Sequence, residues 1–109
     1  MGRLDIIRQV AAQVMKDLEM FGLEIHFTGL QEQAYVELFD QIRPIIDHLQ
    51  QSDQQKLLGM LYRIDLDEDQ VSLVLKQNGT EAFPDALTDL ILKRELQKVV
   101  LRMTFRGQE

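Results

Sequence analysis

Between residues 3 and 21 the apolar positions Leu4, Ile7, Ala11, Val14, Leu18 and Phe21 recur at steps of three and four. On a turn of about 3.6 residues that spacing draws them into one stripe, which predicts a first helix. Gly22 follows as a residue suited to a left-handed helix end. Leu23, Ile25 and Phe27 then alternate with Glu24, His26 and Thr28 in the period of a strand. A lone strand has no partner for its backbone groups. The segment therefore reads as an extended connector, or as a strand pairing with its own copy across a dimer axis. Thr28 with Gln31 has the form of a capping box, predicting a second helix from about residue 29 to Gln51. Tyr35, Leu38, Ile42, Ile45 and Leu49 form its inward stripe, and Pro44 is expected to kink it near Arg43.

Ser52 with Gln55 and Asp67 with Gln70 repeat the capping pattern. They predict a third helix inward on Leu57, Leu58, Leu61 and Ile64, and a short fourth on Val71, Val74 and Leu75. Gln77-Asn78-Gly79-Thr80 has the chemistry of a turn. A last helix is expected from about Pro84, with Asp85 and Asp89 at the positive end of its dipole. Leu92, Leu96, Val99, Val100 and Met103 cover one of its faces, and Leu87, Ile91, Leu101 and Phe105 another. A helix apolar on two faces belongs at the centre of a fold. The predicted fold class is all-α, with about five helices: an antiparallel helical bundle in which two short helices pack across three longer ones. No repeat or linker divides the chain, so residues 1–109 form one expected domain.

Charge adds one asymmetry. Residues 1–92 carry 7 basic and 16 acidic side chains, whereas Lys93, Arg94, Lys98, Arg102 and Arg106 against the single Glu95 give residues 93–106 a charge of +4. Arg94, Lys98, Arg102 and Arg106 recur every fourth residue, interleaved with apolar side chains that include Phe105. This basic and apolar stripe is the candidate surface for a protein partner or a second copy. Two other readings compete with it. The cations can complement the helix dipole and pair with acidic residues inside the chain, or the stripe can grip nucleic acid, against which the net charge of −6 argues.

Catalytic and metal chemistry finds less support. The run Asp65, Asp67, Asp69 starts like a calcium loop, but its sixth position is Gln70 rather than Gly and its twelfth is Lys76 rather than Glu. Its carboxylates read as a helix cap, with Arg63 beside Asp65 as a buried polar link between helices 3 and 4. His26 and His48 lie in no metal-ligand spacing. His48 with Asp47, Glu37 or Asp40 is the one acid and base set to weigh against a solvated face. No phosphate loop or nucleophile elbow exists, so no catalytic residue, metal or cofactor is expected. Gly59 interrupts helix 3 at a cost of about 1 kcal/mol. It suggests a close approach by another helix, with Met60, Leu61 and Tyr62 as either a contact surface or core.

Cysteine is absent, which removes disulfides and thiolate metal sites. The N-terminus has no apolar run of signal-peptide type, and apolar runs elsewhere fall far short of the ~20 residues that span a bilayer. Ile6 stands where myristoylation favours Ser or Thr. Asn78-Gly79-Thr80 matches a glycosylation acceptor but reads as a turn. A cytoplasmic protein without membrane partners is expected.

Leu61-Tyr62-Arg63-Ile64-Asp65, the run Leu92 to Arg102, and Gly22 to Gly29 resemble segments of short uncharacterised helical proteins of Bacteroidetes bacteria. The resemblance implies a bacterial, cytoplasmic, helical protein and carries no activity. The reading from sequence is a non-enzymatic interaction or self-associating module, using Arg94, Lys98, Arg102, Arg106 and Phe105.

Overall fold

The computed structural model describes residues 3–107 and the side chains of residues 6–105. Met1, Gly2 and the side chains of Leu4 and Arg106 lie outside them. Among the described residues the protein is all-helical, without strands.

Helix α1, Arg3–Glu19, buries Ala11, Val14 and Leu18. Its end is closed as the sequence suggests. Gly22 takes φ 74, its N–H reaches the Glu19 carbonyl at 2.9 Å, and the Leu23 N–H reaches Leu18 at 3.2 Å. The connector that follows is extended, with Ile25 buried and its neighbours outward. A side chain supplies its missing partner: Gln41 accepts from the His26 N–H at 2.8 Å and donates to the His26 carbonyl at 2.7 Å.

The expected capping box of Thr28 with Gln31 does not form; the Thr28 hydroxyl accepts instead from the Leu30 N–H, at 3.4 Å. The Thr28 N–H and hydroxyl both donate to Glu37, at 2.9 and 2.6 Å. An ionised carboxylate is the stronger acceptor, so it takes the Thr28 N–H that the predicted box assigns to Gln31. A 3₁₀ turn, Gln31–Gln33, precedes helix α2, Ala34–Ser52. Helix α2 continues through Pro44, whose missing N–H is tolerated on an exposed side. Its buried stripe is Ala34, Leu38, Ile42, Ile46 and Leu49. Tyr35 faces outward and donates its hydroxyl to Asp89 at 2.7 Å.

Helix α3, Gln54–Ile64, is capped by Asp53, which accepts from the Lys56 N–H at 3.1 Å. Ser52 stays in α2 and donates to the His48 carbonyl at 2.7 Å, so the expected box with Gln55 gives way to the carboxylate one residue on. Met60 and Leu61 are buried, Leu58 and Tyr62 are exposed, and Gly59 admits the ring edge of Phe21. A Cβ at Gly59 would lie 3.3 Å from Phe21 Cε1. Asp65, at φ 74, closes α3, with Leu66 N–H bonded to the Leu61 carbonyl at 3.0 Å.

Helix α4, Glu68–Gly107, starts from the expected box: the Gln70 N–H meets Asp67 at 2.8 Å and the Asp67 N–H meets Gln70 at 3.4 Å. It has two arms, 68–78 and 80–107, bent at Gly79 with φ 75 and ψ 173. The predicted turn thus shrinks to one residue, and about five helices become four. The long arm begins before Pro84, which sits buried within it. Helix α4 packs against α1, α2 and α3, and its long arm buries Leu87, Ile91, Leu92 and Val99. Leu96 and Val100 of the first predicted face and Leu101 and Phe105 of the second remain exposed, so both faces are open in part toward this end.

Candidate functional site

The four-residue spacing of the basic stripe places its members in different surroundings. Arg94 donates through Nε to the Asp65 carbonyl at 3.1 Å, through Nη1 to Gln97 at 2.7 Å, and through Nη2 to the Asp65 carboxylate. It thereby fastens the C-terminal cap of α3 to α4. Lys98 Nζ lies 2.9 Å from Asp17 Oδ2 and 2.6 Å from Glu95 Oε1. Arg94 and Lys98 are therefore engaged inside the chain, whereas Arg102 is exposed and donates to Gln13 at 3.0 Å. Phe105 is also exposed. Arg63 does not pair with Asp65; its Nε approaches Asp17 at 3.2 Å, because the left-handed cap turns Asp65 toward Arg94.

Asp17 and Glu95 are both fully buried between α1 and α4. Each stands on an apolar seam: Asp17 beside Val14 and Leu18, Glu95 four residues from Ile91 and Val99. That position was the available signal in the sequence, where both read as ordinary acidic residues. Burial, helped by the neighbouring Asp17 and opposed by Lys98, pushes the Glu95 carboxyl up to about 8. Neither Glu95 oxygen has an aligned hydrogen-bond donor, although Lys98 is close. A proton retained on Glu95 turns this deficit into a donor for Asp17. Burial raises Asp17 too, but hydrogen bonds from Lys98, Glu95 and Gln13 outweigh it and hold its carboxyl below the usual range. The pair thus keeps one negative charge, on Asp17, which lies against both Lys98 and Arg63. This is an internal joint between α1 and α4.

A shallow groove does lie beside His48, lined by Pro44, Ile45 and Leu49. Neither Glu37 nor Asp40 lines it; Glu37 is engaged with Thr28, and Asp47 accepts from Gln51 at 3.3 Å. Its one carboxylate, Asp53, is the cap of α3. Among the described residues no group of three His, Cys, Asp or Glu side chains is placed to hold a metal ion.

The more extensive feature runs along α3 and α4. A groove of about 760 Å³ between them is lined by Leu58, Tyr62, Leu66 and Val71, with Asp67 and Glu68 on its rim. A second depression, lined by Leu66, Leu90, Leu96, Val100 and Leu101, has Lys93 and Arg94 on its rim. Leu66 belongs to both, and a polar patch containing Gln70 and Gln97 bridges them. The two form one continuous face, where Leu58, Tyr62, Leu96, Val100 and Leu101 are exposed. From the sequence, Tyr62 was a candidate contact and Leu101 part of the stripe; Leu58 and Leu96 were expected to be covered. Among the described residues no helix is long and apolar enough to cross a membrane. The class defined so far is a small all-helical protein with an open apolar face. Against family models, curated proteins and solved structures the chain has no match.

Proposed function

We propose that this is a non-enzymatic interaction module of the bacterial cytoplasm, built on an antiparallel bundle of its long helices, that docks protein through the α3/α4 face. The observation that carries the reading is the continuity of that face: five large apolar side chains stay exposed along two joined depressions. Contiguous apolar surface beyond scattered single residues marks interaction sites. The contact centre moves from the basic stripe itself to Tyr62 and Leu101, with Arg102 and Phe105 at the margin, because Arg94 and Lys98 already have partners within the chain.

The test compares the tagged wild type with Tyr62→Ser and Leu101→Ser variants, each confirmed as folded by circular dichroism. Their association with protein is measured before and after nuclease treatment. The expected result is association that survives nuclease and is lost in both variants. Association unchanged in both overturns the reading. Nuclease-sensitive recovery that depends on Arg102 favours nucleic acid instead.

A further inference from the structure

The two depressions carry opposite charge at their rims. Asp67 and Glu68 border the first, and both are exposed at the start of α4. Lys93 borders the second with its side chain 72% exposed; its contact with Asp89, at 2.7 Å, joins two residues of the same helix surface. Such exposed pairs contribute little and exchange easily. Leu66 and Gln70 lie where the depressions meet. The face is therefore apolar along its middle, acidic at one end and basic at the other.

A surface of that kind is its own complement under a two-fold rotation, the condition for an isologous interface. We propose that the occupant of this face is a second copy of the chain, related by a two-fold axis close to Leu66 and Gln70. This rests on the docking role assigned above and names its partner. The rotation sets Leu58 and Tyr62 of one protomer against Leu96, Val100 and Leu101 of the other. It also sets the acidic rim of each against the other's Lys93. Two copies each carrying −6 repel at long range, so local matching of charge must fix the register. An unrelated partner has to bring this pattern with it, whereas a second copy already has it.

Sedimentation velocity of the full chain at physiological salt, from micromolar to millimolar concentration, tests the proposal. The expected result is a wild-type dimer that Leu101→Glu abolishes. Glu68→Lys and Lys93→Glu should each weaken it roughly tenfold, because symmetry counts each rim charge twice. The double variant Glu68→Lys/Lys93→Glu should recover wild-type affinity within about threefold. Far-UV circular dichroism and thermal melts keep folding defects separate from interface defects. A wild type that remains monomeric throughout overturns the second copy as occupant. The docking role itself then stands or falls on association with other protein through Tyr62 and Leu101. A dimer that survives Leu101→Glu, or a double variant no better than the single ones, overturns the two-fold register.

Discussion

Replacing Glu95 by Gln isolates the proton held between α1 and α4. The Glu95 carboxyl is raised by burial from 4.5 to about 8 in the folded protein, and in the unfolded chain it returns to its ordinary value. Between those values the folded state binds more protons than the unfolded one. Glu95 therefore leaves stability intact below its unfolded pKa and lowers it as pH rises toward the folded pKa. At up to ~1.4 kcal/mol per pH unit, the loss from about pH 5 to pH 8 is roughly 4 kcal/mol. That is a large share of the ~5–15 kcal/mol typical of a domain. Asp17 has the opposite sign: its depressed pKa supplies stability that is present above its unfolded value and lost as acid reaches the folded one. Together the two place maximal stability in mildly acidic solution. The Glu95→Gln variant keeps the shape and has no proton to lose. It should match the wild type within ~1 kcal/mol near pH 5 and exceed it by roughly 3 kcal/mol near pH 8. Urea denaturation followed by circular dichroism across this range measures both. Parallel pH profiles for the two proteins would refute the shared proton.

Gly79→Ala forces a Cβ onto φ 75 and ψ 173, a region nearly confined to glycine. It should cost about 1–3 kcal/mol, read as a lowered urea midpoint; a midpoint within error of the wild type would place the bend elsewhere. The Tyr35 hydroxyl, pushed up to about 12 by burial and by its bond to Asp89, should ionise late in a spectrophotometric titration, and Tyr35→Phe should remove that step. The same variant should lose about 0.5–1.5 kcal/mol of stability, the usual net worth of one hydrogen bond.

Most features settled within a few residues were legible in the sequence, the Ser52 box excepted, which the adjacent Asp53 displaces. Gly22 and the Asp67 box work through neighbours in the chain, and both appear as predicted. Features settled at a distance were not. Ile45 and Ile46 are adjacent, and only the rotation of α2 against its partners selects Ile46 for full burial. Glu37 lies nine residues from Thr28, yet it takes the backbone N–H that the box assigns to the nearer Gln31. The partners of Arg94 and Lys98 lie 29 and 81 positions away, so periodicity could group these cations on one stripe without showing that they face inward pairs. The candidate face was half legible for the same reason. Leu58 and Leu96 hold helical register with buried neighbours yet are exposed, and register alone does not show which side of a helix another element covers.

The clamp of Gln41 and Glu37 on the connector has a consequence for the life of the chain in a crowded solution. Leu23, Ile25 and Phe27 alternate as an aggregation-prone edge strand does, and an unoccupied edge recruits strands from other molecules. By engaging the backbone at His26 and Thr28, the two side chains occupy rungs on which a foreign strand would start to grow. A strand-patterned segment is thereby satisfied by side chains of a helix, with no neighbouring strand among the described residues.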